Sequence, residues 1–253
     1  MFFKRMCEKA VVLLSGGLDS ATSAAIAISK KYDVYALTFN YGQRHSIELT
    51  SAKAVGEFLN IKSHKFVDIP VEIFKSALTS SEVQIPKSQE NIQENIKDNI
   101  NDNINKNIND NINKNISVPA TYVPARNLLF LSFALAYAES IDASKIFIGA
   151  NSMDYSGYPD CRPDFFLSFQ KTADFGTKRG LEGKPIIIEV PLQNMKKSEI
   201  IKLGISLGVD YSLTHSCYDP NEQGFSCGEC ESCIIRKKGF AEAGVPDPTR
   251  YYM

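Results

Sequence analysis

The sequence predicts an α/β protein with a doubly wound, mostly parallel sheet of five strands and a small cysteine-rich C-terminal segment. Two observations lead to this prediction. Short apolar runs alternate with stretches of helical character, which is typical of parallel sheets built from strand–helix–strand units. The C-terminal segment holds four of the six cysteines. The five candidate strands are residues 11–14, 32–39, 63–68, 145–149 and 185–190.

The first candidate strand leads into a glycine turn. Residues 11–23 read V-V-L-L-S-G-G-L-D-S-A-T-S, and residues 18–30 have helical character. A strand, a glycine turn and a helix start direct backbone N–H groups at an anion, and Ser15 and Ser20 add hydroxyl donors. The run lacks the lysine of a Walker loop. The negative charge of Asp19 is compatible with a phosphate site if a metal ion or a ribose hydroxyl interacts with it. The alternative interpretation of residues 11–23 is an ordinary strand-to-helix turn.

The second candidate strand, residues 32–39, is followed by N-Y-G-Q-R-H at residues 40–45. Ser46 is positioned to cap a helix that runs to about residue 59. Ligands of open α/β sheets lie at the carboxyl ends of strands. Arg44 and His45 are therefore candidates to meet phosphate or adenine. Solvation of a surface loop is the alternative.

Residues 88–117 differ in kind from the rest of the chain. Isoleucine recurs every four residues between asparagines. A helix has 3.6 residues per turn, so these isoleucines would wind around it, and asparagine is a poor helix former. We predict a low-complexity insertion without chemistry, although a docked or self-associating helix remains an alternative.

A third helix candidate follows V-P-A-R-N at residues 123–127. Asn127 is expected to cap it, and its nearly continuous apolar sequence predicts burial against the sheet. Arg126 would point toward the nucleotide side. It could clamp a phosphate or a carboxylate, or form a salt bridge.

The loop after the fourth strand is rich in polar and aromatic side chains. Rings that stack and acids that accept ring N–H groups suit a flat polar heterocycle, and a plain surface loop is the alternative. Cys161 is favoured as a small buried residue over a nucleophile, because no histidine lies nearby in the sequence. The side chains concerned are Asn151, Asp154, Tyr155, Ser156, Tyr158, Asp160, Cys161 and Arg162.

An amphipathic helix is predicted over residues 196–207, closed by Gly208. Lys196 and Lys197 at its start could reach phosphate, and at least one of them is expected to be solvated.

The cysteines Cys217, Cys227, Cys230 and Cys233 follow the pattern C-x9-C-x2-C-x2-C. Four thiolates this close in sequence fit one tetrahedral Zn²⁺, and a closed four-sulfur site indicates a structural role. Disulfides or a redox C-x-x-C pair are the alternative, and His215 is a possible substitute ligand.

Composition excludes several classes of function. The net charge is −1, which gives no broad basic surface for nucleic acid. No apolar run approaches the length of a membrane span, and the first ten residues lack the apolar core of a signal peptide. The uneven cysteine spacing differs from that of a secreted disulfide scaffold, so we expect a cytoplasmic location.

The motifs taken together resemble a known family. S-G-G-L-D-S resembles the pyrophosphate loop of the N-type ATP pyrophosphatases. In combination with Y-G-Q-R-H, V-P-A-R-N, G-A-N-S-M-D-Y-S-G-Y-P-D-C-R-P and the cysteine cluster, it resembles the 7-cyano-7-deazaguanine synthase (preQ0 synthase) family of queuosine biosynthesis. The motifs occur in that family's order, and the insertion at 88–117 departs from the pattern without interrupting any of them.

The resemblance implies an adenine nucleotide alpha hydrolase-like fold and an ATP-dependent ligase that joins 7-carboxy-7-deazaguanine and ammonia through an acyl adenylate and an amide. It implies ATP, Mg²⁺ and Zn²⁺ as cofactors and a homodimer, with no direct nucleic-acid partner. The expected catalytic residues are Asp19, Ser20 and Arg126. The expected ATP-binding residues are Leu14, Ser15, Gly16, Gly17, Leu18, Asp19, Ser20, Ala21, Thr22, Ser23 and Ala24. The expected substrate-binding residues are Arg44, Asp154, Tyr155, Tyr158, Asp160 and Arg162.

The expected division of the chain is an ATP pyrophosphatase-like domain over residues 1–211 and a zinc-binding segment over 212–253. The same nucleotide loop would also serve a tRNA-thiolating enzyme, a glutamine-fed amidotransferase or an NAD synthetase. A zinc-bearing nucleic-acid module is a further alternative. The near-zero net charge and the lack of a recognisable glutaminase segment disfavour these readings.

Overall fold

The computed structural model describes residues 7–42, 47–70, 74, 76–79, 118–153 and 157–252. Three of the predicted substrate-binding residues, Arg44, Asp154 and Tyr155, lie outside these ranges. So do His45, the predicted cap Ser46 and the insertion at 88–117. The expectations for them stay predictions.

The described residues form one five-stranded parallel sheet in the order β3-β2-β1-β4-β5. The first strand lies at its centre and pairs with β2 on one side and β4 on the other. The predicted sheet is therefore confirmed. The strands are β1 Lys9–Leu13, β2 Asp33–Asn40, β3 Ser63–Asp68, β4 Lys145–Phe147 and β5 Ile187–Glu189.

Helices cover both faces of the sheet. Alternate residues of the first strand point to opposite sides: Ala10 and Val12 belong to one buried cluster, whereas Val11 and Leu13 belong to the other. Helices α1, α2, α6 and α7 contribute to the first cluster, and α3 and α4 to the second. The helices are α1 Leu18–Ser29, α2 Ile47–Phe58, α3 Arg126–Ser140, α4 Pro163–Gly176, α5 Lys178–Leu181, α6 Lys197–Ser206 and α7 Glu231–Ala243.

This strand order fixes where a ligand can bind. The chain proceeds from β1 through β2 to β3 and then crosses to the other side of β1 to form β4. The order reverses between β1 and β4, and the crevice outside the carboxyl ends of these two strands is the usual ligand site of an open α/β sheet. The serine–glycine loop follows β1, so it lies in this crevice.

One expectation about α3 is wrong and one is met. Asn127 is the second helical residue and not the cap, because Ala125 stands at the cap position with a φ of 52°. The helix packs against β1 and β4, as expected, and Leu131 and Ala134 are buried, whereas Phe133 is 42% exposed. A helix on an outer face of a sheet is buried on one side only, even where its sequence is apolar nearly all round.

Helix α4 was not predicted, although its sequence carries a signal. Pro163 stands at its first position, where a missing N–H costs nothing. Phe166, Phe169 and Ala173 are buried at helical spacing.

The C-terminal segment packs on the rest of the fold through α7, which lies against α6. Phe240 belongs to the buried cluster that contains Val12 and Tyr211, and its ring meets Tyr211 edge-on at 5.7 Å. No helix within the described part of the chain combines the length and the apolar character needed to cross a bilayer.

Candidate active site and metal centre

The loop after β1 is closed by Ser20. Its hydroxyl accepts from the backbone N–H of Ser15 at 3.2 Å and donates to the carbonyl of Gly17 at 3.0 Å. The Ser15 hydroxyl donates to it at 3.0 Å. The cap position of α1 is Gly17, which carries no side chain to occupy the helix N-terminus. The N-terminus of α1 therefore faces the crevice with its positive dipole end and its amide donors.

Two glycines let this loop pack closely against its neighbours. A Cβ on Gly16, which has a φ of 84°, would lie 2.5 Å from the carbonyl oxygen of Glu48 in α2. A Cβ on Gly149, just after β4, would lie 2.8 Å from the backbone of Asp19. Backbone cannot move aside as a flexible side chain can, so both positions need glycine. Sequence reasoning identified Gly16 and passed over Gly149.

Asp19 forms a buried ion pair with Lys197 at the start of α6. The ammonium nitrogen donates to both carboxylate oxygens, at 2.7 and 2.8 Å. Only 9% of the Lys197 side chain and 18% of the Asp19 side chain are exposed. Because solvent screens this pair little, the interaction between the two charges is stronger than in an exposed ion pair. Lys196, by contrast, is exposed.

Helix α7 holds Lys197 in place. A Cβ on Gly239 would lie 2.4 Å from the Cγ of Lys197, so the lysine stem runs directly across this glycine. The helix that carries Cys233 thus packs against the cation that pairs with Asp19.

Arg126 and Tyr41 also line the crevice. Arg126 is the first residue of α3, and its guanidinium donates to the Tyr41 hydroxyl at 3.2 Å. Burial raises the pKa of Tyr41, although the Arg126 charge opposes this. Tyr41 is therefore a neutral phenol at physiological pH, and Arg126 keeps its full positive charge at the helix N-terminus.

Asp160 stabilises the start of α3. Its carboxylate accepts from the backbone N–H of Asn127 at 2.9 Å, and the Asn127 amide donates to the Asp160 carbonyl at 3.0 Å and to the Cys161 sulfur at 3.3 Å. Asp160, which is distant in the sequence, therefore caps α3 in place of Asn127.

The crevice opens into a cavity of about 240 Å³ that brings many of the predicted residues together. Of the described candidates, those that line it are Leu14, Ser15, Gly17, Leu18, Asp19, Ser20, Arg126 and Tyr158. Gly16, Ala21, Thr22, Ser23, Ala24, Asp160 and Arg162 do not line it. Thr22, for example, points into the core and bonds the Tyr211 hydroxyl at 2.7 Å. Lining residues that the sequence did not single out include Phe39, Phe130, Ser216 and Tyr218.

Cys161 lies on the cavity wall as a neutral thiol. Burial raises its pKa to about 12, and the nearby Asp160 carboxylate acts in the same direction. The thiolate is the reactive form of cysteine, so this environment suits a packing residue and not a nucleophile.

We expect Cys161 to resist alkylation in the folded protein. At pH 8 iodoacetamide should modify the exposed Cys7 and leave Cys161 unmodified, because a thiol with a pKa of about 12 has a negligible thiolate fraction there. Peptide mass mapping after timed labelling measures both sites in one sample. Equal labelling rates at the two cysteines would contradict the burial of Cys161.

The four C-terminal cysteines form a cluster that fits a metal ion. Their sulfur atoms all lie within 4.8 Å of one another, and the four residues are buried. The Cys217 and Cys227 sulfurs are 3.5 Å apart, far beyond the disulfide length of about 2.05 Å. Zinc–sulfur bonds of about 2.3 Å in a tetrahedron place sulfurs about 3.8 Å apart, so the observed spacing suits Zn²⁺.

Backbone amides surround these sulfurs. The N–H groups of Asp219 and Cys227 donate to the Cys217 sulfur at 3.3 and 3.2 Å, and that of Cys230 donates to the Cys227 sulfur at 3.3 Å. Hydrogen bonds from the Cys217 and Cys233 side chains lower the pKa of Cys230. Amide donors around thiolates are the usual outer shell of a metal–sulfur site.

These features define the class of the protein. It is an open, doubly wound α/β protein with a glycine loop that lines a cavity at the switch point of its sheet, beside a cysteine cluster that could hold a metal ion. A family model described as "Queuosine biosynthesis protein QueC" matches residues 9–244. The chain belongs to this family, and it is an enzyme of queuosine biosynthesis.

Several curated relatives are similar over nearly the whole chain. A 7-cyano-7-deazaguanine synthase of Desulfatibacillum aliphaticivorans is 50% identical over 245 residues, which cover 96% of this chain and 97% of the relative. The synthase of Legionella pneumophila strain Philadelphia 1 is 49% identical with the same coverage. That of Coxiella burnetii strain RSA 331 is 48% identical over 96% of this chain and 98% of the relative.

Proposed function

We propose that this enzyme converts 7-carboxy-7-deazaguanine and ammonia to 7-cyano-7-deazaguanine at the expense of ATP, through an acyl adenylate and an amide. The observation that carries the proposal is that one cavity is lined both by the nucleotide loop with its Asp19–Lys197 pair and by Arg126 and Tyr158. A nucleotide and a flat acid could lie side by side there. The relatives described above bear the name of this reaction.

The first step activates the carboxylate. A carboxylate oxygen attacks the α-phosphorus of ATP, the bond to the β-phosphate oxygen breaks, and pyrophosphate leaves. Amide donors at the start of α1 and the ammonium of Lys197 would stabilise the negative charge that develops on the leaving group. Ser15 and Ser20 would keep the loop in the shape that presents these donors.

The second and third steps make the nitrile. Ammonia attacks the acyl carbon, loses a proton and displaces AMP, which leaves an amide. The amide oxygen then attacks the α-phosphorus of a second ATP and pyrophosphate leaves; the C–O bond then breaks, and loss of AMP and of the two protons on nitrogen gives the nitrile. The same loop would serve both adenylations, because each joins an oxygen of the substrate to the same phosphorus. The chain contributes mainly by positioning the reactants and excluding water.

Arg126 is proposed to meet the substrate carboxylate or a phosphate, since its charge lies at the cavity wall beside Tyr41. Tyr158 is proposed to contact the heterocycle. Asp160 would position the start of α3, and with it Arg126, through its hydrogen bond from the backbone N–H of Asn127. Arg44, Asp154, Tyr155 and Arg162 keep their proposed substrate roles from the sequence.

Two metal ions belong to the proposal. Asp19 would hold Mg²⁺ together with the phosphates, which suits the preference of this ion for carboxylate and phosphate oxygens, and the ion would supply charge neutralisation. Lys197 would then donate to a phosphate oxygen. Cys217, Cys227, Cys230 and Cys233 would hold a structural Zn²⁺.

Isotope labelling tests the reaction. The purified chain is incubated with MgATP, ammonium and substrate whose carboxylate carries ¹⁸O in both positions, and the nitrile, amide and AMP are measured by mass spectrometry. We expect ¹⁸O in the AMP released after each adenylation, because each substrate oxygen leaves as part of the phosphate group of AMP. Release of γ-phosphate without AMP, or unlabelled AMP, would contradict the acyl adenylate.

We also propose the division of the chain into an ATP-binding domain over residues 1–211 and a zinc-binding segment over 212–253 packed on it. A cytoplasmic location follows from free thiols in a metal-binding pattern. A homodimer is proposed from the family resemblance and from exposed apolar side chains on α4 and α5, where Phe175 and Leu181 are 81% and 78% exposed.

The dimer proposal has a direct test. We expect Phe175→Asp to shift the protein from dimer to monomer in light scattering coupled to size exclusion, because it places a charge in the proposed apolar interface. Ile205→Asp, which changes an exposed apolar residue on α6, should leave the mass unchanged. A monomeric unaltered protein would contradict the proposal.

A further inference from the structure

The cysteine cluster builds one wall of the cavity. Residues that flank two of the four cysteines line the same cavity as the nucleotide loop, although the cysteines themselves do not. His215, Ser216 and Tyr218 surround Cys217 in sequence, and Ser232, Ile235 and Arg236 surround Cys233. The position of this wall therefore depends on the conformation of the cysteine segment.

Tyr218 connects the cluster to the cavity directly. Its backbone N–H donates to the Cys230 sulfur at 3.5 Å, and its ring packs against the buried cysteines. Tyr218 also lines the cavity, beside Tyr158 and Thr121 in the set of lining residues. Its backbone is thus tied to a sulfur of the candidate metal site, while the same residue forms part of the cavity wall.

Tyr218 belongs to a series of three hydroxyl side chains on the cavity wall. The Tyr158 hydroxyl lies 2.5 Å from the Thr121 hydroxyl, and Tyr218 is the third member. All three line the cavity. Burial raises the pKa of Tyr158 to about 12, which keeps it a neutral phenol that can both donate and accept.

This series suits the edge of a flat polar heterocycle. Such an edge carries alternating N–H donors and carbonyl acceptors, and a hydroxyl can rotate to match either. Arg126 also lines the cavity, and its charge suits the acid group. Because Tyr218 packs against the cysteine cluster, its side chain would lose little conformational freedom when a ligand binds.

We propose that Tyr218 is a specificity-determining residue that contacts the heterocyclic acid, and that the metal-bound conformation of the cysteine cluster holds it in position. This inference rests on the proposed function. It gives the metal centre a role in substrate binding beyond the stability of the fold.

The test compares Tyr218→Phe with Tyr252→Phe. Tyr252 also packs on the cysteine cluster, and its hydroxyl donates to the Asp219 carbonyl at 3.4 Å, but it does not line the cavity. For Tyr218→Phe we expect the KM for the acid to rise about tenfold, as the loss of one buried hydrogen bond would give, with the KM for ATP unchanged. The control should leave both constants unchanged.

Direct measurements separate specificity from folding. Metal content by elemental mass spectrometry should be the same in the unaltered chain and in both variants. Calorimetric titration of the acid, in the presence of α,β-methylene-ATP, should show weaker binding for Tyr218→Phe alone. Chelation of the metal should abolish acid binding while ATP-analogue binding persists, and added Zn²⁺ should restore it.

Several results would overturn the inference. These are equal acid affinity in Tyr218→Phe and the unaltered chain, loss of metal in that variant, or a chelated chain that still binds the acid. An unaltered chain that neither binds nor converts the acid would instead contradict the proposed function. If the unaltered chain converts the acid and Tyr218→Phe has the same KM for it, the role of Tyr218 is contradicted and the proposed function is not.

Discussion

Replacing Lys197 by methionine should lower the rate of AMP formation by roughly 10²–10³-fold, the typical cost of removing one preorganised charge-stabilising group. Lys197 is the buried cation that bonds both oxygens of Asp19, and it lines the cavity beside the nucleotide loop. Methionine keeps most of the stem that packs over Gly239 and removes the charge. The effect should appear in kcat, since the charge on pyrophosphate develops in the transition state.

Lys196→Met provides the matched control. Lys196 precedes Lys197 in the sequence and is exposed, so its loss should leave kcat and both KM values close to those of the unaltered chain. Thermal unfolding of both variants checks that α6 remains folded. If Lys197→Met formed AMP as fast as Lys196→Met did, the lysine would have no part in adenylation.

The second large effect is expected on replacing Cys230 by alanine. Cys230 is fully buried, and its sulfur accepts from the backbone N–H of Tyr218. Structural zinc sites in peptides contribute about 10–16 kcal/mol of apparent binding free energy, so the loss of one thiolate ligand should release the metal and disorder the segment around it. Acid binding should be lost with it, because this segment forms a cavity wall.

Metal content, circular dichroism and thermal unfolding measure this outcome. Cys7→Ala is the control, because Cys7 is exposed and lies outside the cluster. It should retain the metal content and the unfolding temperature of the unaltered chain. A Cys230→Ala protein that kept its metal and its melting temperature would show that the cluster holds no structural ion.

Helix α3 shows where sequence reasoning fails. Its apolar residues predicted a helix packed against the sheet, and the helix is present there with its outer side exposed, but the predicted cap is wrong. A cap can come from any acid that folding brings near, here Asp160 at a separation of 33 residues. Burial depends on the number of layers that cover an element, and this number is a property of the whole fold.

The sequence by itself determined the features that rest on local patterns. These are the five strands, the glycine turn with its helix start and the cysteine spacing of the cluster, because apolar periodicity, glycine φ preferences and ligand spacing act within a few residues. Only the tertiary structure decided which of two adjacent lysines is buried, and that Lys197 meets Asp19 across 178 residues of chain. It also decided that the cysteine segment forms a wall of the cavity. Such pairings depend on the order of the strands and on the face each helix covers, and the packing of the whole core sets both.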